Sequence, residues 1–289
     1  MWSWHLNPLT CGVAKWNIAL AQRLGVPCRS LVSGGPSCYP LISVKVAEFQ
    51  SWPWLLSLPP LYDLFLHDAL MSEELQQAMR VANRVFAANR EIATALRPIR
   101  TDVIEAWCPG TIDGNPTRPG LTIWSFGMAH KQQLQCFERL KAVCEDQDEP
   151  LDYTLCVSVG IHEDQPWSES FQESERRLRA LFGNRLRFLG FLADDALARE
   201  LREDHAVALF YEPALRANHT TAWSALSAGA ILVTNLDGAS PPELQHGVNV
   251  LDIHRLEQWP QSDERSLLQA GAKQVSERYG WAPLLILVQ

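Results

Sequence analysis

No run of lysine or arginine in this 289-residue chain is long enough to form a basic stripe, and 25 basic against 33 acidic residues leave a formal net charge of −8. A basic stripe that could track a phosphate backbone is therefore missing. Nucleic acid is not an expected partner, and any anionic ligand has to be held by a local pocket. The seven cysteines (Cys11, Cys28, Cys38, Cys108, Cys136, Cys144, Cys156) include no Cys-x-x-Cys pair. An odd, scattered set fits a reduced cytoplasmic chain better than a disulfide framework. No window approaches the ~20 apolar residues of a membrane span. The start, Met-Trp-Ser-Trp-His-Leu-Asn-Pro, lacks the basic and apolar segments of a signal peptide. The expectation is a cytoplasmic protein without a membrane span. No internal repeat or low-complexity tract occurs. Asn218-His-Thr220 matches an N-glycosylation sequon, a chance match in that setting. His162-Glu163 has no second histidine four residues on, so no zinc motif follows and no metal is expected.

What is present is an ordinary globular composition, 47% apolar and 20% charged, with length enough for two domains of about 100 to 150 residues. Residues 2–6 read as a strand, followed by a turn into a helix with Val13, Trp16, Leu20 and Leu24 at helical spacing. Further extended segments are expected at 28–32, 41–49, 62–66 and 83–89. Helices are expected from Ser72, where Glu73 and Glu74 suit a first turn, and after Asn89 up to Leu96. The Gly- and Pro-rich stretch 108–120 reads as a linker. Beyond it, strands at 121–127, 153–160, 186–190 and 206–211 alternate with helices at 132–146, 169–182 and 194–203. Such alternation implies α/β architecture with parallel sheets covered on both faces. The domain boundaries are set at 1–117 and 118–289.

The most informative stretch is 216–243. Asn218, Thr220 and Thr221 suit a helix start whose free N–H groups would welcome an anion. Ala-Leu-Ser-Ala-Gly229 packs closely and ends the helix, and Ile231, Leu232 and Val233 form a buried strand. Thr234, Asn235 and Asp237 line its exit, the end of a strand where open α/β sheets place ligands.

With those elements placed, the chain resembles a GT-B glycosyltransferase, and within that fold the retaining, nucleotide-sugar-dependent family four. The resemblance runs almost end to end. It rests on Asn7-Pro-Leu-Thr-Cys11-Gly12-Val13-Ala-Lys-Trp16 after the first strand, His67-Asp68, and Ala82-Asn-Arg-Val-Phe-Ala-Ala-Asn89. It continues through Ser125-Phe-Gly127-Met-Ala-His130-Lys131, Arg187-Phe-Leu-Gly190, Ser224-Ala-Leu-Ser-Ala-Gly229 and Tyr279-Gly280-Trp281. Two glutamates usual in the family are replaced by Arg216 and Ser224, so the carboxylate that binds the nucleotide ribose is missing. Glu212, one turn earlier, is the expected substitute.

The resemblance implies two Rossmann-like domains facing a cleft, the N-terminal acceptor domain abbreviated and the C-terminal domain holding a nucleotide sugar. It implies transfer with retention, no metal and no cofactor. The acceptor would be a glycan, a lipid-linked molecule or a small molecule. Arg216 and Lys131 would stabilise the leaving diphosphate, and His67 would contact the donor sugar or order the acceptor. No dedicated base is required, since the leaving phosphate takes the acceptor proton. Cys11, Gly12 and Val13 would bring backbone N–H groups to the donor. Gly127, His162, Glu212, Asn218, Thr220, Thr221, Ser224 and Glu243 complete the expected donor site. Trp52-Pro53-Trp54 is expected in a loop on the cleft. The alternatives are a catalytically silent GT-B module that binds nucleotide or glycan and, third, a nucleotide-sugar epimerase.

Overall fold

The structure is a computed structural model that describes residues 1–8, 11–31, 41–48, 61–111, 121–128, 133–146, 150–160, 169–201 and 205–289. Lys131, His162 and the Trp52-Pro53-Trp54 segment lie outside the described residues. The chain divides into two compact units, Met1–Cys108 with Trp281–Gln289, and Pro109–Gly280.

The first unit runs β1 (Trp2–Ser3), α1 (Gly12–Leu24), β2 (Arg29–Ser30), β3 (Leu41–Val44), β4 (Asp63–Leu66), α2 (Glu73–Val81), β5 (Arg84–Ala87), α3 (Arg90–Leu96) and β6 (Ile104–Glu105). Helix boundaries follow local chemistry. Cys11 caps α1, and Gly25, with φ of 67°, ends it in the left-handed conformation that glycine tolerates. Ser72 and Asn89 accept the Leu75 and Ile92 amides as N-caps of α2 and α3. The strands are shorter than their apolar runs: β1 ends at Ser3, and the segment after β3 turns into a 3-10 helix at Val46–Glu48. All neighbours pair in parallel, in the order β2-β1-β3-β4-β5-β6. The order reverses at β1, so the crevice between the exits of β1 and β3 is this sheet's topological switch point.

The second unit contains β7 (Leu121–Met128), α4 (Leu134–Glu145), β8 (Tyr153–Gly160), α5 (Glu169–Phe182), β9 (Leu186–Phe188), α6 (Asp194–Glu200), β10 (Ala206–Leu209), α7 (Thr220–Ser227), β11 (Ile231–Thr234), β12 (Leu251–Asp252) and α8 (Ser262–Arg278). Its parallel sheet has the order β12-β11-β10-β7-β8-β9. This is the Rossmann order, with its switch point between β7 and β10. β10 and β11 are buried along their whole length, which accounts for their apolar composition up to Thr234, whose hydroxyl donates to the Leu209 carbonyl at 2.7 Å.

The terminal helix α9 (Trp281–Val288) belongs to the first unit. Trp281 stacks 6.2 Å from the fully buried Trp16, and the Arg23 guanidinium lies 4.1 Å above the Trp281 ring. Arg84, paired with Asp63 at 2.7 Å, also donates to the carbonyls of Leu287 and Val288 at 3.4 and 3.1 Å. A cation on the last carbonyls of a helix is favoured by both hydrogen bonding and the helix dipole.

Candidate active site

In the second unit the sheet's carboxyl edge is organised by the loop between β10 and α7. Asn235, just after β11, accepts the Tyr211 amide and donates to the Tyr211 carbonyl, both at 2.9 Å. Its own carbonyl accepts the Leu215 amide at 3.0 Å. Arg216 then turns inward. Its guanidinium meets Asp237 in a two-bond fork, both contacts at 2.8 Å, and donates to the carbonyls of Ala214 and Leu215. The Arg216 side chain is 4% exposed against 42% for Asp237. Partial burial raises the Asp237 pKa, but the Arg216 bonds and the amides of Ala239 and Ser240 outweigh it, so the carboxyl lies below its ordinary value of 3.8. The cation assigned to a leaving diphosphate is therefore engaged by Asp237 and backbone carbonyls.

α7 starts at Thr220, with His219 rather than Asn218, Thr220 or Thr221 in the N-cap position, and His219 makes no side-chain cap bond. The reason is geometric. His219 Nδ1 accepts the Arg216 amide at 3.2 Å, which puts the ring proton on Nε2, and the ring stacks on Tyr211 at 4.1 Å. The imidazole is turned back from the cap, and the Thr220 and Ala222 amides of the first turn donate to the carbonyls of Asn218 and His219 at 3.1 and 3.0 Å, with the Tyr211 hydroxyl also bonded to the Ala222 amide. The positive end of the helix dipole lies at this turn. Thr221 Oγ1 and the Tyr211 hydroxyl share a hydrogen bond at 2.8 Å. That bond fixes the Thr221 rotamer at this turn.

Ser224 is buried, and its hydroxyl is engaged: it donates to the Thr220 carbonyl at 2.9 Å and accepts the Thr111 amide at 3.1 Å. Gly110 lies so close that an added Cβ would sit 2.6 Å from the Ser224 nitrogen. Only glycine fits there. Glu212 is exposed on the loop after β10 and accepts a hydrogen bond from Gln133 Nε2 at 3.0 Å. Gln133 immediately precedes α4, so this bond bridges the switch point between β7 and β10. Gly127, near the end of β7, has φ of 134°, a conformation that side-chain-bearing residues rarely adopt. Glu243 is held by the Tyr279 hydroxyl at 2.6 Å and by Arg278 at 3.0 Å.

In the first unit His67 ends β4 but is buried inside a polar chain. Asn17 Nδ2 donates to Ser3 Oγ at 2.8 Å and to the Ser43 carbonyl at 3.0 Å, so its Oδ1 must be the acceptor of the Ser43 hydroxyl at 2.6 Å. Ser43 Oγ, its proton committed, accepts from His67 Nε2 at 3.0 Å, and the Cys108 thiol faces His67 Nδ1 at 3.7 Å. Trp16 packs edge-on against the imidazole at 5.0 Å. Burial, aided by the Lys45 charge, lowers the His67 pKa from 6.5 to about 3. His67 is thus a neutral, fully partnered core histidine rather than a side chain offered at the strand end. Its neighbour Asp68 accepts the Val46 and Ala47 amides at 2.6 and 2.8 Å and so shapes the 3-10 turn after β3.

Cys11 is buried, while Gly12 is exposed at the first position of α1, with open space where a Cβ would project. The Cys11 thiol donates to Glu48 at 3.2 Å, and burial and the Glu48 charge push it up to about 11. Sequence reasoning did not anticipate Asn17, Ser43, Glu48, Tyr211 or Asp237 as partners. Each acts across separations of roughly 10 to 40 residues, for which no local pattern exists.

No protein-family model and no curated protein sequence matches the chain. Solved structures do. Anabaena Alr3699/HepE in complex with UDP superimposes with a TM-score of 0.63 at 14% identity, covering 96% of this chain and 94% of that one. The same protein with UDP and glucose gives 0.59 at 17% identity over 83% and 73% of the two chains. Sucrose-phosphate synthase from Thermosynechococcus elongatus gives 0.59 at 14% identity over 86% and 72%. The chain has the GT-B fold, with which the family-four resemblance is compatible.

Two outcomes follow. Asp237→Asn removes the charge facing a buried guanidinium. Because Asp237 is itself half-exposed, the loss of stability should be about 1 to 3 kcal/mol, between the values for surface and buried pairs; an unchanged urea midpoint would show that the pair holds nothing. The unfolded chain protonates His67 near 6.5 and the folded chain only near 3, so in that window the unfolded state binds more protons. Stability therefore falls as the pH drops from about 6.5 toward 3, by at most ~1.4 kcal/mol per pH unit. His67→Gln should flatten that slope in urea titrations, and an identical slope in the variant would contradict the assignment.

Proposed function

We propose that the chain is a glycosyltransferase that moves a hexose-like unit from a nucleotide sugar to an acceptor, with retention and without a catalytic metal or cofactor. The observation that carries this reading is the start of α7, where His219 makes no side-chain cap bond, at the carboxyl edge of β10 and next to the switch point of a sheet whose fold is that of the UDP complexes of HepE. A diphosphate suits such a helix start, because first-turn amides and the dipole act on it together. Glu212, exposed one loop earlier and held by Gln133, is our candidate for the ribose hydroxyls, since Ser224 is closed off beneath Gly110 and Thr111. Gly12 would contribute its backbone amide from the start of α1; that of Val13 is engaged by Cys11. Lys131 and His162 are retained as donor-site candidates.

Arg216 acts in this scheme chiefly by orienting the loop. Its charge reaches a leaving phosphate only if Asp237 exchanges part of its grip. That engagement favours the second reading, a nucleotide-binding module without turnover. Among the described residues no helix is long and apolar enough to cross a membrane. We place the protein in the cytoplasm, where nucleotide sugars are available to it, acting on a glycan, lipid-linked or small-molecule acceptor.

Incubation with a panel of nucleotide sugars, magnesium and manganese omitted, should give hydrolysis or transfer with the anomeric configuration kept. Binding without turnover would establish the silent module, and release of a sugar inverted at C2 an epimerase. Glu212→Gln should weaken binding of the active nucleotide by about 10- to 100-fold, the worth of hydrogen bonds to a charged group; unchanged affinity by calorimetry would remove Glu212 from the site.

A further inference from the structure

The crevice at the switch point of the first unit holds a cluster that the donor-site reading does not use. His5 follows β1, Cys11 caps α1, and Glu48 closes the 3-10 turn after β3. Their ligand atoms all lie within 4.8 Å of one another. Cys11 Sγ is 3.2 Å from Glu48 Oε1, and His5 Nε2 is 3.9 Å from Glu48 Oε2. A tetrahedral zinc ion, with Zn–S of about 2.3 Å and Zn–N or Zn–O of about 2.0 to 2.1 Å, holds its ligand atoms about 3.3 to 3.6 Å apart. The two Glu48 contacts straddle that spacing, and side-chain rotation within the 4.8 Å cluster would close the three ligand atoms onto one ion.

We propose that His5, Cys11 and Glu48 form a zinc site that ties the loop between β1 and α1 to the turn after β3. One imidazole, one thiolate and one carboxylate are a mixed N, S, O set suited to Zn²⁺, and three protein ligands leave a fourth position for water. Without metal, burial and the Glu48 charge keep the Cys11 thiol protonated; local bonds then support two of the ligands once the metal is bound. The Ala14 amide donates to Cys11 Sγ at 3.4 Å, and the sulfur sits at the N-terminus of α1, where the helix dipole favours a thiolate. Asp68, by holding the Val46 and Ala47 amides, orients the turn that carries Glu48, the outer support that metal ligands generally have. Zn²⁺ replaces the thiol proton, which leaves to solvent, and its two positive charges are balanced by the Cys11 thiolate and the Glu48 carboxylate. His5 Nδ1 accepts the Asn7 amide at 3.4 Å, so the neutral ring carries its proton on Nε2. Loading moves that proton to Nδ1 and opens this long contact, with no net loss from the ring. The site uses the Cys11 side chain, which the Val13 and Ala14 amides already support, and leaves the Gly12 amide to the donor. It stands whether or not the protein transfers sugars. No motif announces it, because 37 residues separate Cys11 from Glu48.

The test uses the full chain titrated with Zn²⁺ and with Co²⁺. One zinc per chain should be retained in native mass spectrometry, and Co²⁺ should develop a thiolate-to-metal charge-transfer band in the near ultraviolet. Cys11→Ser should lose that band, while Cys28→Ser, outside the cluster, should keep it. Should Cys11→Ser fail to fold by circular dichroism, His5→Ala and Glu48→Gln decide. Each should weaken zinc by about tenfold or more, at least the effect of losing an outer partner. Absence of the cobalt band in the unaltered chain, or an undiminished band or zinc affinity in these variants, overturns the proposal.

Discussion

The Arg216–Asp237 pair is the constraint on which the second unit's carboxyl edge depends. A parallel sheet can put a ligand only where its strands exit, and there the chain must leave β10, expose a helix start and return to β11 in few residues. Asn235 fixes the first part of that excursion by closing both backbone groups of Tyr211. Arg216 fixes the second by reaching back to the loop after β11. With these two anchors, the His219 side chain turns toward Tyr211 instead of capping α7. A guanidinium suits this task because its planar fork satisfies a carboxylate and two carbonyls at once.

In each unit polar side chains gather at the point where the strand order reverses, and each unit uses them differently there. In the first unit the interior side of that edge is a directional chain from Ser3 through Asn17 and Ser43 to His67 and Cys108. Every donor in it has one available acceptor, which fixes the histidine tautomer and keeps the ring neutral. The outer side gathers His5, Cys11 and Glu48. Asp68 joins the two, adjacent to His67 in sequence and bonded to the turn that bears Glu48. In the second unit Glu212 and the start of α7 stand on an ionic anchor whose guanidinium is buried and whose carboxylate is half-exposed.

Much of this was legible in the chain. Alternating short apolar runs and helical spacings gave the order of strands and helices because parallel strands are buried on both faces, as β10 and β11 are. Ser72 and Asn89 marked helix starts because their side chains can bond only locally. The extended readings at 2–6 and 41–49 run past the paired residues: after β3 the chain turns while Val46 stays in the core, and after β1 Leu6 is already exposed. The helix start near residue 218 was recognisable from its polar residues. Its true cap position was not, because the deciding contact, His219 on Tyr211, comes from the preceding strand exit. His67 read as a site residue from its place at a strand end, whereas its partners come from α1, β3 and Cys108, and the placement of α9 rests on stacking onto Trp16 and Arg23. Such contacts are properties of the folded chain.

The central claim, that the start of α7 receives a nucleotide diphosphate, is tested most directly by a crystal of the protein soaked with UDP. The account predicts difference density for two phosphates against the amides of the Thr220–Ala222 turn, with the ribose toward Glu212. Full occupancy by side chains at that turn, or a nucleotide bound elsewhere while the turn stays closed, would contradict it.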